Sequence, residues 1–310
     1  MTTQQQQLFY RDVVPLSRER HANWFIDMGQ GYRFTGDTNS IYVAGTEFPM
    51  ASREYPIVFA KDGQENLVPV AMLGLRQDQN LLVGTDGSWL GSYIPAYIRR
   101  YPFILANADP EKNSYAVCID ESYSGFNTAG EGERLIKENG EHGEILSNSV
   151  KFLEEFHKHS EITSTFCKAV DDAGLVESMQ ANFSMKSGGN FSLAGLYCVA
   201  RNKIKAMSAE QLKQFADRDY LDLLYLHIYS LSNMDKLIAL HDRGRTGVRR
   251  GGRGVSGAPA ATKLNAIVDR STTGHFHPTR VKDRPAADGE TANRRATKTH
   301  YRVDSGYRKY

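Results

Sequence analysis

The residues best suited to chemistry gather in the run from Trp89 to Leu105, where Trp89, Tyr93 and Tyr97 lead into the adjacent pair Arg99-Arg100. A guanidinium beside aromatic faces stacks on or grips an anionic ligand, and rigid rings give large contact area at small entropic cost. The same residues also suit a buried corner, because tyrosine fills space and keeps one polar handle. Both readings stand, since two adjacent arginines cannot both turn inward. Asp120 and Glu121 follow an apolar run and precede a glycine-rich stretch. Carboxylates there suit acid/base work, metal binding, or a turn or salt bridge. Neighbouring strand residues point to opposite faces, which makes Asp120 the better site candidate. His227 lies within the apolar run Tyr220–Leu231. It is either a core histidine with a partner for each ring nitrogen, Ser230 being near, or a ligand or proton shuttle lining a pocket. The expected ligand-binding set is therefore Trp89, Tyr93, Tyr97, Arg99, Arg100, Asp120 and His227.

Other chemistries lack their signatures. His157 and His159 are two apart, which separates them on a helix, and His275 and His277 fall in a polar tail. There is no His-Glu-x-x-His, Cys-x-x-Cys, phosphate loop, dinucleotide fingerprint or Gly-x-Ser-x-Gly elbow. No catalytic residue, metal ligand or cofactor is assigned, and the balance leans away from an enzyme. Cys118, Cys167 and Cys198 are odd in number, widely spaced and set among apolar neighbours, as inert buried thiols are.

These candidates need elements to hold them. Tyr55–Ala60 and Leu67–Leu75 flank a polar connection containing Asp62-Gly63, a hairpin signal. Leu81–Val83, Phe103–Ala106 and Tyr115–Ile119 read as further strands, preceded by an N-terminal arm of about 35 residues that packs through Val13, Val14, Leu16, Trp24 and Phe25. Asp120–Gly143 reads as a long loop with one short helical piece. Leu146, Val150, Leu153, Phe156, Thr163, Phe166, Cys167 and Val170 fall at helical spacing. Phe191–Val199 alternates as a strand, and Ser208 with Gln211 forms a capping box. A last helix, Tyr220–Leu240, is apolar on nearly every side at first and should be central. The expected fold is α+β: a mainly antiparallel sheet from the N-terminal half with helices from the C-terminal half packed on it.

Charge divides the chain. Residues 243–310 hold 16 Lys and Arg against 5 Asp and Glu, a net of +11, and residues 1–242 hold 22 against 31, a net of −9. This predicts a globular domain over residues 1–242 and a disordered, Gly/Arg-rich basic tail over 243–310 that binds polyanions, nucleic acid included, weakly and in a salt-dependent way. No run reaches the ~18 apolar residues of a membrane span. The N-terminal residues lack the basic and apolar regions of a secretory signal, so a cytoplasmic location is expected.

The blocks Val14–His21, Glu47–Phe59, Gly87–Phe103, Val117–Glu121, Gly195–Tyr197 and Leu224–Asn233 occur in an order that resembles the SapC family of bacterial proteins. The likeness covers about Leu8 to Asp242. It implies an accessory or interaction protein of the surface layer or cell envelope, with a protein partner there and no established activity. Two departures stand out. Ala200-Arg201 occupies a place where the family often carries an acidic pair, and the basic tail has no counterpart. A small-molecule or peptide pocket around Trp89, Tyr97, Arg99, Asp120 and His227, in a binding protein or an enzyme, is the alternative reading. Tail-mediated nucleic-acid binding is a third.

Overall fold

Short polar signals start and stop most elements along the chain, which a computed structural model describes over residues 8–109, 114–184, 190–246 and 301–302. Val13–Pro15 (β1) is extended, and Ser17 then caps the single turn Arg18–His21 (α1) by accepting from the Arg20 amide. Phe25–Ile26 (β2) and Ser40–Tyr42 (β3) follow. Phe48–Ala51 (α2) carries Pro49 in its first turn, where the missing N–H costs nothing. Ile57–Lys61 (β4) and Leu67–Met72 (β5) form the expected hairpin. Asp62 Oδ1 shapes its connection by accepting from the amides of Gln64 and Asn66 at 2.9 and 2.7 Å.

Pro95 opens Ala96–Arg99 (α3). Phe103–Asp109 (β6) pairs with Ser114–Asp120 (β7). Phe126–Asn127 (β8) and Glu133–Arg134 (β9) come next, then the 29-residue helix Glu144–Asp172 (α4). Val176–Ser184 (β10), Asn190–Val199 (β11), Arg201–Lys205 (α5), Ala209–Ala216 (α6), Tyr220–Ser230 (α7), Met234–Thr246 (α8) and Tyr301–Arg302 (β12) complete the order.

Two compact units result, each assembled from separate stretches, and the division falls within α4 after Glu154. Among the described residues, the first takes 8–27, 102–109, 114–154 and 301–302. In it β7 pairs with β6 along one edge. Along its other edge β1 meets Cys118–Asp120 and β12 meets Ser114 and Tyr115. A small sheet, β8-β2-β9, belongs to the same unit.

Among the described residues, the second unit takes 28–101, 155–184 and 190–246 and holds the five-stranded antiparallel sheet β10-β11-β4-β5-β3. Its core centres on aromatic rings. Phe166 lies 6.3 Å from Phe48, 6.4 Å from Phe59 and 5.2 Å from Tyr220, centroid to centroid. Such offset and edge contacts favour one packing arrangement over others. The fold is α+β, with antiparallel strands dominating the first half and helices the second.

Several local expectations are corrected. Leu81–Val83 forms no strand and contributes only a bridge from Val83 to Trp89, because the turn Gly84–Ser88 reverses the chain at once. Asp120–Gly143 contains no helix; its middle pairs as β8 and β9 with β2. The helix Tyr220–Leu240 is broken by a tight turn at Leu231–Asn233, where the Asn233 side-chain Nδ2 donates to the carbonyls of Ser52 and Tyr55 at 2.7 and 3.2 Å. Helix α7 is buried along one stripe, Tyr220, Leu224, His227 and Ser230, while Tyr229 is 61 % exposed. Helix α8 continues to Thr246, and the Gly/Arg-rich stretch from residue 247 to 300 lies outside the described residues. Among the described residues no helix is long and apolar enough to cross a membrane.

Candidate functional site

The densest polar cluster in the second unit is built on Glu47, a residue that the spacing arguments missed. Glu47 closes a tight turn, Gly45–Glu47, and its Oε2 accepts from the Ala44 amide at 2.8 Å, which is half of a capping box. Its Oε1 accepts from the Ala96 amide at the start of α3 and from the Tyr93 hydroxyl, both at 2.7 Å. Burial raises the Glu47 carboxyl above its ordinary value, against the opposing pull of these three donors and of Arg99. Tyr93 is pushed up by burial and then by the Glu47 charge.

A second knot adjoins it in sequence. Glu54 accepts from the Ser92 amide with both oxygens at 2.9 Å. The Trp89 indole N–H is shared between the Tyr55 hydroxyl and the Tyr93 carbonyl, each at 3.1 Å, and the Tyr55 hydroxyl donates to that same carbonyl. Gly91 lets these groups close up, since a Cβ there would stand 2.4 Å from Glu54 Oε2 and 2.9 Å from the Tyr55 oxygen.

The two arginines separate as their adjacency requires. The Arg99 side chain is exposed; its Nε donates to the Ile94 carbonyl at 3.0 Å and its guanidinium carbon lies 5.9 Å from the Tyr93 ring centre. Arg100 is only 6 % exposed and lies over the buried Tyr97 ring at 3.7 Å, with Phe156 at 5.2 Å. Trp89, Tyr93 and Arg99 are thus gathered around Glu47, Glu54 and Tyr55, while Tyr97 and Arg100 form their own stack against Phe156.

His227 is spent on the sheet. Its Nδ1–H donates to the Ile57 carbonyl at 2.8 Å and its Nε2 accepts from the Val199 amide at 3.0 Å. Ser230 serves the strand rather than the ring: its hydroxyl accepts from the Ile57 amide at 2.9 Å. Burial lowers the imidazole to about 4, so it is neutral at ordinary pH.

Asp120 belongs to the first unit and is fully buried. Its oxygens accept from the amides of Arg11, Asp12 and Ser122 and from the Ser122 hydroxyl, at 2.7–3.0 Å. Its neighbour Glu121 accepts from Arg20 and, at 2.8 Å, from His21 Nε2. The Ser17 amide donates to His21 Nδ1, which places the ring proton on Nε2. His21 carried no spacing signal; only the position of its partner, far along the chain, reveals it. Burial pushes the Cys118 thiol up to about 12, so it does not ionise near neutrality. Among the described residues no group of His, Cys, Asp or Glu is arranged to hold a metal ion.

The six sequence blocks are the pieces that bind one another. Val14–His21 meets Val117–Glu121 through strand pairing and the His21–Glu121 contact. Glu47–Phe59 meets the run after Gly87 through Glu47, Glu54 and Tyr55. The same block meets Gly195–Tyr197 at the Tyr197–Phe59 pair and Leu224–Asn233 at His227 and Asn233. Glu47, Glu54, Asp120 and His227 thus all take hydrogen bonds from elsewhere in the same chain. A family model described as SapC matches residues 16–237. No curated protein and no solved structure matches the chain.

Proposed function

This chain belongs to the SapC family, and from that membership we propose that it is a non-catalytic accessory or interaction protein of surface-layer or cell-envelope processes. The observation that supports this reading is the mutual satisfaction of the family-like blocks. Trp89, Tyr93, Tyr97, Arg100, Asp120 and His227 each have partners within their own unit, which favours units that work through their surfaces. Leu90, 57 % exposed, and Arg99, bonded to the Ile94 carbonyl yet exposed, are where the aromatic run presents surface to a partner protein.

The test is a crosslinking pull-down of the full chain from its native cell. The proposal expects an envelope or surface-layer component, with recovery reduced by Leu90→Asp and Arg99→Glu. Recoveries without any such component, reproduced by both variants, overturn it.

The net charge of +11 over residues 243–310 supports a second reading, polyanion binding by that segment. A salt-sensitive gel shift with single-stranded nucleic acid, lost on removing residues 247–310, supports it. A shift that survives the truncation refutes it.

A further inference from the structure

A cleft of about 230 Å³ opens where the end of α4 meets α6 and the start of α7, all within the second unit. It lies apart from the Glu47 and His227 networks, and of its lining residues only Gln211, through the Ser208 capping box, carries a spacing signal. Ala169, Ala173, Phe215 and Tyr220 give it an apolar floor, the two rings meeting edge to face at 5.6 Å. Asp172, the last residue of α4, lines it on one side, and Arg218, between α6 and α7, lines it as well.

The charges around this cleft are unevenly committed. Asp217 is held by Lys213 through both oxygens at 2.9 and 2.8 Å. Asp172 is held by Lys168 at 3.0 and 2.8 Å. Arg218 forms no ion pair among the described residues, and its guanidinium carbon lies 5.9 Å from the Tyr220 ring centre. Arg218 and Asp172 therefore line one cavity with opposite charges that do not touch each other. Gln211 spends its carbonyl oxygen on the Ser208 amide, which leaves its NH₂ donors available, and Gln214 adds a second amide.

We propose that this cleft binds a free α-amino acid with an apolar side chain. The carboxylate sits on Arg218 and the glutamine amides, the ammonium faces Asp172, and the side chain lies on Phe215 and the alanines. A planar guanidinium suits a carboxylate in two-point contact. The Lys168–Asp172 pair is a surface i,i+4 contact with both side chains mostly exposed to screening water, so it yields readily to an incoming ammonium. The volume falls below the roughly 300 Å³ at which drug-sized sites begin, which limits the occupant to one small molecule.

The experiment is an NMR titration of the full chain with L-leucine and L-phenylalanine, against isovalerate and isoamylamine, which each keep one charge. Saturable shifts at Ala173, Gln214 and Tyr220 are expected with the amino acids, and binding at least about tenfold weaker with either single-charge analogue. Arg218→Ala should abolish the shifts and Arg218→Lys should keep part of them. Asp172→Asn should erase the advantage of leucine over isovalerate. Both side chains are exposed, and an unchanged melting temperature confirms that each variant folds. Absence of saturable shifts, equal binding of isovalerate and leucine, or undiminished binding by a folded Arg218→Ala overturns the proposal.

Discussion

Val199 and Ile57 are joined through a side chain that comes from neither strand. They lie two positions on from the Tyr197–Phe59 pair, the one register pair between β11 and β4, and the His227 ring bridges them. The Val199 amide donates to one ring nitrogen and the other donates to the Ile57 carbonyl, so the bridge works only with a neutral imidazole of fixed tautomer.

This sets a pH dependence. The folded chain holds His227 at about 4, below the ordinary value of 6.5, so the unfolded chain takes up the proton first. Stability is fully present above pH 6.5 and is lost as pH falls toward 4, by about 3 kcal/mol over that window. Urea unfolding at pH 7, 5.5 and 4 measures it, and a folded His227→Phe variant should show a flatter profile.

Glu47 contributes with the opposite sign. Its carboxyl is raised in the fold, so its share of stability is present below the ordinary carboxyl value and fades as pH rises through the folded one. In Glu47→Gln the new NH₂ faces the Ala44 amide or the two donors at Oε1, and one of these is left unmatched. A loss of about 1–3 kcal/mol is expected in denaturant unfolding. Tyr93→Phe should cost about 1 kcal/mol, and the double variant should cost less than the sum of the two.

The adjacent arginines should behave very differently. Arg100→Ala removes a buried guanidinium from the faces of Tyr97 and Phe156 and should cost about 2 kcal/mol or more. Arg99→Ala, at an exposed position, should stay within about 0.5 kcal/mol. Equal losses by thermal or urea unfolding would contradict the inward and outward assignment.

Gly91→Ala should be costly although the backbone there is ordinary. The added methyl meets Glu54 Oε2, the Tyr55 oxygen and, at 3.1 Å, the Trp89 indole nitrogen. Displacing them disrupts the Ser92–Glu54 contact, with a loss of about 1–3 kcal/mol and a shift in tryptophan fluorescence. An unshifted emission spectrum at wild-type stability would contradict this packing.

Features written in neighbouring residues were legible in the sequence. The Asp62 connection, the Ser208 capping box and the α4 stripe each depend on contacts a few residues apart. Glu47 was not legible, because its meaning comes from Tyr93 and Ala96 beyond forty residues away, and neither was His21, whose partner is Glu121. Strand β10 escaped notice because its sequence is largely polar and lacks clean alternation; pairing with β11 makes it a strand. The break before α8 escaped too, since Asn233 ends the helix through carbonyls contributed by Ser52 and Tyr55.

The His227 bridge also sets a timetable for biogenesis. Ile57 and His227 stand 170 residues apart, so on the ribosome β4 emerges long before the imidazole that finishes its edge. At roughly 5–20 residues per second that interval lasts on the order of ten to thirty seconds, during which apolar β4 and β5 lack their final cover.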